Sequence, residues 1–436
     1  MKAFAACVVI AATLSFTMPA FAQSGTFSFA PNQLAANAWY KPGTPPSLIN
    51  GHLDEAFGQA DRWPKLLSAL KKRHGSFSVF AAEIGYLSSS KGLLPLLKAN
   101  HVPISVETPG FTQVPNGEKL AHMEILGEPV DGTNLYAQVF QITKPADRPN
   151  PAGKGWFVTG DGKPFIPDEL LFDERIPGLL PYFDAGILAK TAGTWEQRKA
   201  AASITIPGTE AGTYAQRRQI LMQDYVRYLN IARTHWRNKM PAVSLHWNVN
   251  PGWAWRDEAG LDAINSADPN WFNSIDRFNA IVSQKPQYGC VGYLNELIAV
   301  LTTAGYKPRT VYMDVDWTYN VPYITEVLKR HQAALKERGI QMGINVVEAS
   351  IGDDETLRFE HGTLSRAHMA GSPPNVLYEQ TLNAIFDYLK SVGLTGPSVQ
   401  IRVGSWSHRP YERGYQISER TPGSLPHTAL EIEKKL

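Results

Sequence analysis

The sequence predicts an α/β fold, a (β/α)8 TIM-type barrel with long inserted loops, on three observations. Short apolar runs of strand character alternate with stretches of helical spacing along most of the chain. Most of these runs end in an acidic, polar or cationic residue, the pattern expected when a barrel collects its functional groups at the carboxyl ends of its strands. The glycine-rich phosphate loop that should follow the first strand of a nucleotide-binding sheet is absent, which sets the open parallel sheet behind the barrel.

The chain opens with Lys2, a short apolar run and Ala20-Phe21-Ala22, the pattern of a secretory signal peptide cut after Ala22. Residues 1–22 are read as that signal, and the mature protein is expected in the periplasm or outside the cell. Its removal takes Cys7, so Cys290 is left with no intrachain partner, and a chain of this size depends on a large core rather than on disulfides. Residues 23–64 are rich in Pro, Gly, Asn and Ala without a sustained period, and read as an irregular lead-in. The barrel domain is expected over 65–410, with an insertion at about 110–207, and residues 411–436 read as a C-terminal tail.

Taken in order, a short amphipathic helix over 64–74 feeds a strand at 77–84 carrying Glu83. A helix over 91–100 follows, and then the strand Val102 to Glu107, stopped by Thr108-Pro109-Gly110. Between 110 and 207 the pattern loosens into turns such as Asp161-Gly162-Lys163-Pro164 and Pro167-Asp168-Glu169, with one candidate strand at 135–142. A segment of this length without clear elements suits long connections over a barrel mouth. The helix over 213–236 is the longest clear one, and Pro241 to Asn248 is a strand ending in His246 and Asn248. The loop after it carries Trp253 and Trp255. A helix over 288–304 places Cys290 on its inner face with Leu294, as an inert thiol.

The strand Arg309 to Asp316 is the centre of this reading. Alternation puts Tyr312, Asp314 and Asp316 on one face and Val311, Met313 and Val315 on the other. A helix over 321–339 leads to a strand at 340–347 ending in Glu348. A loop to Pro374, a helix over 375–393 and a last strand at 398–403 bring Arg402 and then Trp406 to the same end. The run Met313-Asp314-Val315-Asp316-Trp317-Thr318-Tyr319-Asn320 resembles the strand signature of the chitinase-like glycoside hydrolases, in which acids at alternate positions end in a glutamic acid that protonates the leaving group. Thr318 stands where that acid belongs, and a threonine hydroxyl cannot serve as general acid. The resemblance therefore implies a barrel glycosidase without that family's mechanism.

Glycosidic cleavage needs one carboxylic acid and one carboxylate at a set separation. The expected pair is Asp316 and Glu348, from adjacent strands about 4.8 Å apart, with Asp314 or Glu107 raising the pKa of one member by repulsion. Trp253, Trp255, Trp317 and Trp406 are expected to stack on sugar rings. Glu83, Glu107, His246, Asn248 and Arg402 are expected to bind the substrate around them. No cofactor is expected, and the partner is a carbohydrate. The mature chain carries 41 basic residues against 40 acidic, scattered along its length, which argues against nucleic acid or an anionic membrane surface. Two other classes use the same residues: a metal-dependent phosphoesterase or deacetylase, for which no local ligand spacing exists, and a non-catalytic carbohydrate-binding barrel.

Overall fold

Eight parallel strands close on themselves in a computed structural model of the chain. It describes residues 26–30, 63–81, 84–89, 93–108, 157, 159, 163–172, 214–249, 267, 280, 291–315, 317, 324–348, 356–359, 362–365, 374–405, 419–420 and 422–436. In chain order the elements are β1 (Phe27–Ala30), α1 (Pro64–Lys72), β2 (Phe77–Phe80), α2 (Ile84–Ser89), α3 (Leu93–Ala99), β3 (Ile104–Thr108) and β4 (Glu169–Phe172). There follow α4 (Tyr214–His235), β5 (Ala242–Asn248), α5 (Val291–Thr303), β6 (Thr310–Asp314), α6 (Ile324–Glu337) and β7 (Gln341–Glu348). The hairpin β8 (Thr356–Phe359) and β9 (Gly362–Ser365), α7 (Pro374–Ser391), β10 (Val399–Ser405) and α8 (Leu425–Lys435) complete the chain. The barrel runs β1-β2-β3-β4-β5-β6-β7-β10 and closes where Phe27 of β1 pairs with Ile401 of β10. The predicted (β/α)8 architecture is the observed one.

Several segments differ from the sequence expectation: Ile84–Ser89 is helix α2 where the end of a strand is expected, and the hairpin β8–β9 lies in the expected loop before Pro374. The first barrel strand, β1, lies inside the expected irregular lead-in; it is only four residues long, too short for alternation to register against a Pro- and Gly-rich background. Glu169, expected in a turn, opens β4, because Pro167 and Asp168 end the turn just before it. The C-terminal stretch is no tail from 425 onward: α8 starts with Ser424 accepting a hydrogen bond from the His427 backbone and buries Leu425, Ala429, Leu430 and Ile432. It packs on α1 and α7. The expected strand at 135–142, the insertion it belongs to before residue 157, Cys290 and residues 1–25 lie outside the described residues.

The outer layer follows from helical spacing. In α6, Ile324, Val327, Leu328, His331, Ala334 and Leu335 are buried at steps of three and four, so one stripe of the helix faces the sheet. Gly75, between α1 and β2, is fixed by close approach: a Cβ there would sit 1.4 Å from the Phe27 carbonyl oxygen.

The barrel interior is unusual in being polar. Contacts between strands that are not neighbours must cross the lumen, and Glu107 of β3 reaches both His246 of β5 and Arg402 of β10. Register then assigns the same inward phase to Ser105, Ser244, Tyr312, Asp314, Gly343, Asn345, Gln400 and Ser28. Barrel interiors are ordinarily filled by layers of branched aliphatic side chains. Here polar residues such as Ser28, Ser105, Glu107, Ser244, Tyr312, Gln400 and Arg402 predominate beside Leu171 and Val347, while Val311, Met313, Ile344, Val346, Ile401 and Val403 face the helices. Near the amino end, Glu169 accepts from Ser244 and pairs with Arg309 at 2.9 Å, and Gln400 donates to Ser28.

Candidate functional site

At the carboxyl end of the lumen four charged side chains form a line. Arg402 Nη2 donates to Glu107 Oε2 at 2.7 Å. The other carboxylate oxygen of Glu107, Oε1, lies 3.3 Å from His246 Nδ1. His246 Nε2 in turn lies 3.6 Å from Oδ1 of Asp314, the last residue of β6. Relative exposures of 0 % for Arg402 and His246, 2 % for Glu107 and 4 % for Asp314 put the whole line out of bulk solvent. In sequence these residues are spread from position 107 to position 402, and β3, β5, β6 and β10 bring them together.

Charge decides what each can do. Burial penalises the Glu107 carboxylate, but the His246 imidazolium and the Arg402 guanidinium beside it hold its carboxyl well below the ordinary range, at about 2. Burial likewise works against a charged His246, and Glu107 on one side with Asp314 on the other overcome it, raising the imidazole well above its ordinary value. The two carboxylates thus favour the charged form of His246, in which each ring nitrogen carries a proton. The Asn345 side-chain amide sits 2.5 Å from Nε2. The amide atom placed there is Nδ2, while the amide oxygen Oδ1 makes no hydrogen bond to a described group. Glu107, for its part, is a permanent anion and no proton donor. Buried ions of this kind are tolerated only when paired, and here each charge has an opposite neighbour.

Of the residues singled out from the sequence, Glu107, His246, Asp314 and Arg402 meet in this line. Arg402 and Glu107 bind each other rather than lying open to a ligand. Trp317, expected to stack on a sugar, is 0 % exposed and belongs to the hydrophobic core, with its ring edge-on to Tyr388 of α7 at 6.0 Å. Asn248 pairs in register with Asp314, and Glu348 pairs with Ser405 at the end of β7, three residues past Asn345. Glu83, Trp253, Trp255, Asp316 and Trp406 lie outside the described residues.

Two participants are not apparent from strand-end position alone. Asn345 is a lone polar residue in the apolar run Ile344, Val346, Val347, and it is in phase with Gly343; both facts signal an inward polar position. Tyr312 resembles any other strand aromatic in the sequence, yet its ring lies under the Arg402 guanidinium, 5.2 Å from centroid to Cζ. Among the described residues no group of three or more His, Cys, Asp or Glu side chains is placed to hold a metal ion. No helix among them is long and apolar enough to cross a membrane.

Fold and site together define a parallel β/α barrel with a buried, charge-paired polar line at the carboxyl end of its strands. No protein-family model matches the chain, and no curated protein does. Among solved structures the chain is similar to the PgaB (BpsB) glycoside hydrolase domain from Bordetella bronchiseptica, with 12 % identity over 92 % of this chain and 100 % of that one and a TM-score of 0.31. It is also similar to a GH5-4 broad specificity endoglucanase from an uncultured bacterium, at 11 % identity, 91 % and 94 % coverage and a TM-score of 0.34. A beta-glucosidase from Exiguobacterium marinum matches at 14 % identity, 88 % and 89 % coverage and a TM-score of 0.32.

Proposed function

We propose that the chain is an exported glycoside hydrolase that cleaves a polysaccharide or oligosaccharide with paired carboxylates at the mouth of the barrel. The observation that carries this reading is the buried line Arg402–Glu107–His246–Asp314, which delivers a carboxylate to the carboxyl end of β6 with its partners already in place. Asp316, two residues further on, is assigned to the bond-breaking step with Glu348 of the adjacent strand as its partner. One of the two protonates the departing oxygen and the other attacks or activates water. Asp314 is assigned an electrostatic role: its negative charge favours the positive charge that develops on the sugar ring. His246 beside it, backed by the Glu107 carboxylate, holds that charge in place. Trp253, Trp255 and Trp406 are assigned to sugar stacking, with Asn248 and Glu83 as hydroxyl partners.

The test is release of reducing sugar from a panel of bacterial and plant polysaccharides, by the wild-type chain and by Asp316→Asn. Asn keeps the shape and one acceptor but loses the charge. A transition-state role therefore lowers kcat by orders of magnitude with KM little changed. Retention of turnover within about tenfold, a loss of only ~1.4 kcal/mol, would make Asp316 a structural carboxylate.

A further inference from the structure

We propose that Arg402 is a positioning residue of the candidate site: seated over the Tyr312 ring, its guanidinium balances Glu107 and so, through His246, fixes Asp314 as an oriented carboxylate. This deepens the glycosidase reading and rests on it for the role of Asp314.

Among the described residues the geometry gives Arg402 one charged partner, Glu107. Only Nη2 is used, toward Glu107 at 2.7 Å, while Nε and Nη1 make no hydrogen bond to a described group. An arginine kept for its hydrogen-bonding fork would use more of its five donors. Its position across an aromatic face, 5.2 Å from the Tyr312 centroid, and its complete burial point instead to charge as what it supplies. Among the described residues, neutral and already paired groups make up the rest of the surroundings. Strands β1 and β7 beside β10, and β2 beside β3, contribute neutral Ser28, Asn345 and Ser78 at inward positions, and Glu169 of β4 is matched by Arg309. Among the described residues the inward charges at this end are thus Arg402 and His246 against Glu107 and Asp314, two of each sign.

Loss of Arg402 leaves one excess negative charge out of water, and the site relieves it by taking up a proton. That reverses a linkage sign. In the wild type the folded state holds the Glu107 carboxyl below its unfolded value, so its contribution is present above the ordinary carboxylate range and lost as pH falls. With Arg402→Met the folded Glu107 carboxyl binds its proton more tightly, so the variant regains stability, relative to wild type, as pH falls.

The experiment compares denaturant unfolding of wild type, Arg402→Met, Arg402→Lys and the double variant Arg402→Met/Glu107→Gln at about pH 7.5 and about pH 5, together with pH profiles of kcat/KM. The stability deficit of Arg402→Met is expected to shrink on acidification, with Arg402→Lys close to wild type. The double variant, which loses one charge of each sign, is expected to show a smaller deficit that does not depend on pH. The acid limb of kcat/KM is expected to move up by about one pH unit or more in Arg402→Met and to return toward wild type in the double variant. Should Arg402→Met fail to fold, folding of the double variant would support the proposal in its place, and failure of both would overturn it. Equal deficits at both pH values, or an acid limb that stays in place, would also overturn it. A wild-type chain inactive on every glycoside would remove the glycosidase reading, and the stability comparison would still decide whether Arg402 sets the charge of Glu107.

Discussion

Gly343 and Tyr312 are register partners on β7 and β6, and a Cβ on Gly343 would lie 2.3 Å from Cδ1 of the Tyr312 ring. The glycine is thus the space in which the ring lies across the neighbouring strand, and the ring in turn is the floor on which Arg402 rests. A methyl group at 343 has to push a fully buried ring into a packed lumen.

Gly343→Ala is accordingly expected to cost about 1–3 kcal/mol of stability, the usual range for overpacking. In a Tyr312→Leu background most of that cost should vanish. Urea midpoints of the four proteins in this cycle check it, and additive costs would mean that the ring is not the obstacle.

His331 of α6 is fully buried on the core face of its helix, and its Nδ1 donates to the Val327 carbonyl at 2.8 Å. Burial pushes this imidazole down to about 4, against the smaller opposing effect of that hydrogen bond. Its folded value is below the unfolded one of 6.5, so the neutral ring contributes fully above pH 6.5. As pH falls from there toward 4 the unfolded chain takes up a proton that the folded chain refuses, and about 3 kcal/mol is lost. His331→Gln should flatten the dependence of unfolding free energy on pH across this window; a slope left unchanged would locate the titration elsewhere.

The C-terminal helix α8 is part of the barrel's outer layer. Ile432 is fully buried, and Arg73 after α1 clasps Glu433 at 2.6 Å. Glu419, just before the helix, accepts from the backbone nitrogens of Lys65 and Leu66 at 3.1 and 2.9 Å, where α1 begins. Ile432→Ala is expected to cost about 2–5 kcal/mol, and removal of residues 424–436 to abolish cooperative unfolding, since α1 and α7 then lose their cover. Thermal unfolding of both variants reads this directly. A cost below about 1 kcal/mol for Ile432→Ala would make the helix an appendage.

Local pattern in the sequence determined the architecture and most of its elements. Strands β2, β3, β5, β6, β7 and β10 and helices α1, α4, α5, α6 and α7 are legible because period-2 and period-3.6 burial is written into neighbouring residues. The same alternation put Glu107, His246, Asp314 and Arg402 at strand ends. It failed for β1 and β4, short strands set in Pro- and Gly-rich or turn-like surroundings, for α2 and the hairpin β8–β9, and for α8, whose buried face exists only because α1 and α7 are there to receive it. Only the tertiary structure decided which of the strand-end residues touch. Closure of the barrel through β1 and β10 sets Arg402 across the lumen from Glu107, 295 residues away in sequence, and makes the two bind each other. It also decided that the His246 imidazole is shifted upward, since the balance between loss of water and two nearby carboxylates depends on distances that no local pattern contains. Periodicity fixes which side of a strand a residue faces; what it faces is set by the way the sheet closes.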